Sequence, residues 1–386
     1  MKHTLYIISL VAALFFAACD EPAVIPDSVN EPIQKVGLKI YNRSYLSPLP
    51  DGSIVTLVSA GKEGQYCVAK VKTDGSYILS DTLTEGVLFD RLYVNAEGES
   101  LICQFEIDSE GWSGYKLYKI DTKGNVYDKG FSDYWSVTLF DNGNIACFGR
   151  EQLEPTGDET LVMRIIDNNL TYIMGQDFET DFACTFGDRI MLANYGIGEY
   201  CIFKTDGSFV NRGSIDNFIT KIQSLDGYFY VVAENINRAQ DEESEKSDNA
   251  NTEWLIYKID ANGNIVYSTT INTFVLNGHF SIIDGMLVTT GVYSSDHSRN
   301  EGYGTIYLIN NENGQLIETI SVNYNGCEVL PLSVAADNNN GYNVYVLRQD
   351  TYDTNRQPFE MLKSGNLFIY HTNDLHTLNI NNTINQ

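Results

Sequence analysis

One segment recurs seven times along this chain of 386 residues, and nothing else in the sequence restricts its fold as much. The copies begin at Tyr66, Tyr115, Thr160, Glu199, Trp254, Thr305 and Asn366. In each, an alternating apolar run enters a turn rich in Asp, Asn and Gly, as in Tyr115-KLYKIDTKGN, and a second run follows, such as Asn125-VYDKGF. That is the pattern of a β-hairpin. A second hairpin precedes each copy, marked by Asp51-Gly52, Glu97-Gly98, Asn142-Gly143, Gly187-Asp188, Asp226-Gly227, Asp284-Gly285 and Asn340-Gly341. The glycines of these turns lie 46, 45, 44, 40, 58 and 56 residues apart. Each unit therefore holds four strands, A to D, and loops take up the extra length.

Four-stranded antiparallel units at this period predict an all-β chain folded as a β-propeller of seven blades, with six or eight left open should one unit be miscounted. No helix of ordinary length is expected. The propeller is expected to span residues 35–386. Lys35-VGLKIYN has the alternation of a strand that closes the ring against the last blade, and His376-TLNI is expected to be that blade's D strand. Because neighbouring strands run antiparallel, A–B and C–D turns share one face of the disc, and B–C and D–A connections share the other. The second face carries the long loops, Glu106–Gly114, Glu151–Glu159, Ile236–Glu253, Ser294–Gly304 and Gln349–Gly365, and is expected to receive any partner.

Composition excludes one class of partner. Lys and Arg number 25 against 51 Asp and Glu, a formal charge of −26, so a nucleic-acid partner is not expected. With 43% apolar residues the chain can bury a large core, and 25 Tyr and 18 Phe are too many for a disordered polymer.

The first residues supply an address. Met1-Lys2-His3 is a short basic start, Leu5 to Phe16 an apolar run too short to span a bilayer, and Phe16-Ala17-Ala18-Cys19 closes it with small residues before a cysteine. These four residues resemble the lipobox of bacterial lipoproteins, with Phe16 where Leu is usual. The resemblance implies a signal peptide over 1–18 and a diacylated Cys19 opening a flexible tether over 19–34, which carries Pro22, Pro26 and Pro32. Asp20-Glu21 resemble the surface-export signal of Bacteroidetes lipoproteins, implying a lipid-anchored protein on the surface of a bacterial outer membrane. Asp27-Ser28-Val29 and Asp81-Thr82-Leu83 resemble the Bacteroidetes O-glycosylation pattern, which makes Ser28 and Thr82 candidate acceptors. The pattern Asp-Gly-x-x-hydrophobic, then hydrophobic-Lys-x-Asp-x-x-Gly-Asn, resembles repeats of bacterial lipoprotein propellers, which implies a fold and no particular activity.

Candidate ligand-binding residues are the aromatics on or beside the long-loop face: Trp112, Tyr134, Trp135, Trp254, Tyr293 and Tyr303, with His297 beside Asp296. Exposed rings of this kind stack on sugars or anchor protein interfaces. Trp135 and Trp254 have a second reading as packing between blades. Gly196-Ile197-Gly198 lacks the third glycine of a phosphate cradle, and Gly111-Trp112-Ser113-Gly114 lacks the spacing of a nucleophile elbow. No histidines pair at metal-ligand spacing, Asp260-ANGN reads as a hairpin turn, and neither metal nor cofactor is expected. Cys67, Cys103, Cys147, Cys184, Cys201 and Cys327 fall in or beside strands and read mainly as small core residues, although Cys103 and Cys147 occupy equivalent B strands where they could meet. The expected function is non-catalytic binding of a glycan or an outer-membrane protein partner through the B–C and D–A loop face. The alternative is a carbohydrate-active hydrolase or lyase with carboxylates in the central mouth.

Overall fold

The computed structural model describes residues 32–41, 45–60, 65–83, 89–107, 113–134, 136–153, 157–235, 252–294, 302–324, 329–336, 341–348 and 365–380. The chain opens with β1 (Pro32–Ile40), which belongs to the last blade. Blade 1 holds β2 (Leu46–Pro48), β3 (Ile54–Ser59), β4 (Tyr66–Val71) and β5 (Tyr77–Leu79). Blade 2 holds β6 (Phe89–Val94), β7 (Ser100–Ile107), β8 (Ser113–Ile120) and β9 (Val126–Ser132). Blade 3 holds β10 (Ser136–Leu139), β11 (Ile145–Gln152), β12 (Glu159–Ile165) and β13 (Leu170–Ile173). Blade 4 holds β14 (Phe182–Phe186), β15 (Arg189–Ala193), β16 (Glu199–Lys204) and β17 (Phe209–Ser214). Blade 5 holds β18 (Asn217–Leu225), β19 (Tyr228–Asn235), β20 (Thr252–Ile259) and β21 (Ile265–Thr273). Blade 6 begins with two short strands, β22 (Val275–Leu276) and β23 (Ser281–Ile283), and continues through β24 (Met286–Ser294), β25 (Gly302–Asn310) and β26 (Leu316–Tyr324). Blade 7 holds β27 (Val329–Ala336), β28 (Tyr342–Arg348) and β29 (Gly365–Thr372), and β30 (Asn379–Ile380) ends the described chain. This is a β-propeller of seven blades, and every repeated copy in the sequence forms the third strand of its blade.

The turns form for the reason the sequence suggests. Asp121 Oδ1 accepts the amides of Lys123 and Asn125, each at 2.9 Å, and Asp260 Oδ1 accepts those of Asn262 and Asn264, each at 2.8 Å. Each carboxylate thus satisfies two amides that the hairpin leaves unpaired. Gly124 closes the first of these turns at φ +92°, and a Cβ there would lie 2.5 Å from the Leu79 carbonyl oxygen of blade 1. Only glycine meets both demands.

Burial follows position within the blade. Ile54 to Val58 of the second strand are all buried, because each blade is covered on both faces, whereas Tyr77, Ile78 and Leu79 of the fourth strand stand at the exposed rim. Among the described residues, buried apolar side chains form seven clusters, and each lies between two neighbouring blades. Side-chain bonds to main-chain oxygens cross the same boundaries. Tyr345 Oη donates to Gly52 at 2.8 Å, Ser224 Oγ to Thr185 at 2.7 Å and Ser281 Oγ to Val334 at 2.7 Å. Cys67, Cys103, Cys147, Cys184 and Cys201 are buried thiols outside any disulfide, so Cys103 and Cys147 share an apolar cluster without a bridge. Burial pushes the Cys147 and Cys201 thiols up to about 12. Among the described residues, no helix is long and apolar enough to cross a membrane.

Ring closure corrects one expectation. The fourth strand of blade 7 is β1, which runs antiparallel to β29 from Pro32 opposite Tyr370 to Ile40 opposite Gly365. It begins within the segment assigned to the tether. His376-TLNI instead makes a short 3₁₀ turn over Leu375–Thr377 and β30, which pairs parallel with β26 of blade 6. The physical reason is buried area: β1 inserts Val36, Leu38 and Ile40 into the cluster between blades 7 and 1, more than the two residues of β30 can bring. Leu375 and Leu378 cap the neighbouring cluster between blades 6 and 7.

A chain beginning at residue 32 is therefore expected to melt as the longer protein does. One beginning at residue 41 loses three buried side chains at about 1.5–3 kcal/mol each and bares the β29 edge. It should melt roughly 10 °C lower or more and aggregate, as thermal denaturation and size-exclusion chromatography will report.

Candidate functional site

The innermost strand of each blade is the first: β2, β6, β10, β14, β18, the β22 and β23 pair, and β27. Around the axis β2 lies against β6, β6 against β10, β10 against β14, β14 against β18 and β23 against β27. They surround a cavity of about 690 Å³ to which blades 1 to 6 all contribute. Its walls include half-buried Tyr45, Tyr93 and Phe182, with Trp254 at one edge. A volume of this size suits a small ligand or a few sugar rings.

Two irregularities bring cations to the wall. The ladder between β6 and β7 slips one residue between Phe89 and Arg91, and that between β18 and β19 slips one residue between Ile219 and Lys221. An extra residue resets the two-residue alternation of a strand. Arg91 and Lys221 are the residues that follow it, and both line the cavity. Blades 2 and 5 lie three apart in a ring of seven, so the two approach from nearly opposite sides.

A third irregularity completes the site. The first strand of blade 6 is broken, because β22 and β23 each pair with β24 while residues 277–280 leave the ladder between them. Gly278 adopts φ +63°, and a Cβ there would meet Lys221 Cδ at 3.0 Å. Gln223 holds the segment by a reciprocal pair: its Nε2 donates to the Phe280 carbonyl at 3.2 Å, and the Phe280 amide donates to its Oε1 at 3.1 Å. Lys221 Nζ donates to the Asn277 carbonyl at 3.3 Å and lies 3.0 Å from Nδ1 of buried His279. Burial pushes the Lys221 amine down to about 7, and among the described residues no acidic side chain opposes that shift.

Arg91 is fixed by its neighbours. Its guanidinium lies 5.6 Å from the Phe182 ring centre and 5.8 Å from that of Tyr115, and it donates to the Asp181 carbonyl. Cation–π contacts on two rings hold the fork at the wall. The two carboxylates among the described residues of the cavity stand elsewhere. Asp141 and Asp226 follow β10 and β18, hence lie in A–B turns at the rim opposite the long-loop face, and both are exposed. Asp141 accepts the Gly187 amide at 3.2 Å. Among the described residues, no group of three or more His, Cys, Asp or Glu is placed to hold a metal ion.

The residues singled out from sequence fare unevenly. Trp254 borders the cavity, half-buried, with Nε1 donating to the Thr273 carbonyl at 3.1 Å and its ring packed on the cluster between blades 5 and 6. Tyr134 is only 8% exposed, a core residue packed on Gly149 and beneath Arg164, and so is not an accessible binding ring. Tyr293 is half-buried at the end of β24, opposite Tyr303 in the ladder with β25. Thr82 is exposed after β5. Cys19, Ser28, Trp112, Trp135 and His297 lie outside the described residues, as do residues 108–112, 154–156, 236–251, 295–301 and 349–364 of the long loops. Sequence reasoning missed Arg91, Lys221, Gln223 and the His279 segment. The one available signal was Asn277-Gly278, a turn pair inside a strand and seven residues ahead of the A–B turn at Asp284-Gly285.

No family model matches the chain, and no curated protein matches its sequence. Solved structures share its general architecture. BamB from Moraxella catarrhalis is 9% identical at a TM-score of 0.41, covering 86% of this chain and 98% of that one. A streptogramin B lyase is 12% identical at 0.45, covering 81% and 96%. A Bacteroides caccae protein of unknown function is 12% identical at 0.38, covering 66% and 89%. At such identities the likeness concerns the fold alone.

Lys221 makes a stability prediction with a definite sign. Unfolded, the amine keeps its proton to about pH 10.5; folded, it releases it near 7. The unfolded chain then binds more protons between these values, so stability rises with pH from about 7. Above about pH 9 the buried thiols, whose folded values are raised, turn the trend downward. Chemical denaturation at pH 7 and pH 9 should show a gain on the order of 1–2 kcal/mol that Lys221→Met abolishes.

Proposed function

We propose that this chain is a non-catalytic lipoprotein of a bacterial outer membrane, anchored through Cys19 and displayed at the surface, whose propeller binds a glycan in its axial cavity. The observation that carries the reading is the cavity itself. Tyr45, Tyr93 and Phe182 present apolar ring surface beside a small number of fixed polar groups, which is how a sugar is gripped by faces and edges together. The lipobox-like Phe16-Ala17-Ala18-Cys19 and the acidic Asp20-Glu21 support the address. A non-catalytic role is favoured by the placement of Asp141 and Asp226 in separate rim turns two blades apart, away from the cations of the wall.

The test is a glycan-array screen of soluble protein from residue 20 onward, with product analysis of each glycan retained. Binding with every glycan intact is the expected result, and Tyr93→Ala should weaken it about tenfold through lost ring contact. Cleavage of a bound glycan would install the hydrolase or lyase reading instead. Binding undiminished by Tyr93→Ala would move the site out of the axial cavity.

A further inference from the structure

We infer that the ligand of the axial cavity carries a carboxylate, as an acidic sugar does, and that Lys221 is the residue that receives it. The inference rests on the glycan reading above and narrows it to one chemical class.

Charge placement is the first argument. The chain carries two acids for every base, 51 against 25, yet among the described residues the charged groups along the cavity wall are Lys221 and Arg91, and the acids Asp141 and Asp226 stand in its A–B turns. The second argument is geometric. Bulges occur in the first strands of blades 2, 5 and 7; those of blades 2 and 5 bring Arg91 and Lys221 to the cavity wall, and the broken strand of blade 6 brings residues 277–280 against Lys221. Bulges of this kind re-aim side chains beside functional sites. The third is energetic. Lys221 has one carbonyl and one imidazole as partners and no acid among the described residues, so burial disfavours its charge. A carboxylate arriving at Nζ restores that charge and gains a charge-assisted hydrogen bond, which a neutral hydroxymethyl group in the same place would not. The aromatic walls receive the ring that bears it.

Binding should then take up a proton above neutral pH. Lys221 is faced by His279 from the 277–280 segment and by Cys184 from β14, with Arg91 and Tyr93 across the axis on β6 and with Asp141 and Asp226 at the rim. Lys221 is the group that contacts the ligand in this account, and it loses its charge between pH 6.5 and 8.5. Affinity should therefore fall over that interval.

The experiment measures the soluble protein from residue 20 against carboxylate-bearing oligosaccharides and their matched neutral counterparts, in which a hydroxymethyl replaces each carboxylate, by calorimetry at pH 6.5 and 8.5. The acidic member of a pair should bind at least tenfold more tightly and lose affinity at the higher pH. Lys221→Met should lower that affinity tenfold to about a hundredfold and narrow the gap between the acidic and neutral members of each pair. Its melting temperature, measured alongside, reports folding, and the acidic and neutral pairs test the inference on the unmodified protein regardless. Equal affinity for the neutral member, or acidic binding unchanged by Lys221→Met, overturns the inference while the glycan reading stands. Silence from both sets overturns the glycan reading and this inference with it.

Discussion

The pairing of β1 with β29 is the interaction on which the rest of this structure depends. Six of the seven blades are hairpins laid down consecutively, and the sixth also receives the short β30 on its outer strand. The seventh takes three strands from the end of the described chain and its fourth from the beginning, so the two ends are bound by main-chain hydrogen bonds across more than 320 residues of intervening sequence. Each apolar cluster lies between two blades and is buried only if both are present. Without β1 the cluster between blades 7 and 1 loses Val36, Leu38 and Ile40, and with that boundary weakened the ring can open. The axial cavity exists only inside a closed ring.

Within that ring the cavity owes its chemistry to departures from regularity. A propeller built from seven regular blades would line its axis with whatever the strand alternation delivered. Here one inserted residue in β6 and another in β18 put basic side chains inward, and the break between β22 and β23 brings the Asn277 carbonyl and His279 to one of them. Gln223 pins the broken segment from the neighbouring blade, so the contact is built into the scaffold and does not depend on a long loop. A polar group held this way is preorganised, which lowers the ordering penalty of binding.

The fold was legible because its signals are local and repeated: Asp121 and Asp260 in their hairpin turns, and apolar runs such as Ile54–Val58, need no knowledge of distant residues. The closing strand was partly legible. Lys35-VGLKIYN reads as a strand against the last blade, but two segments competed for one edge, and the winner was decided by three buried side chains that the alternation of His376-TLNI does not reveal. The cavity was hardly legible. Arg91 and Lys221 sit in ordinary strand sequence, and a bulge is set by register against a neighbouring strand, which no single segment states. Tyr134 misled for a related reason. Its place beside a D–A crossing suggested exposure, while a close fit onto Gly149 buries it.

Native-state hydrogen exchange across β1 tests the central claim most directly. If β1 is the fourth strand of blade 7, its amides bonded to β29 should exchange only through global unfolding, with the same free energy as those of the buried central strand β28. Exchange of β1 amides at a free energy several kcal/mol lower, with β28 still protected, would show a ring that stands without its closing strand and would contradict the account.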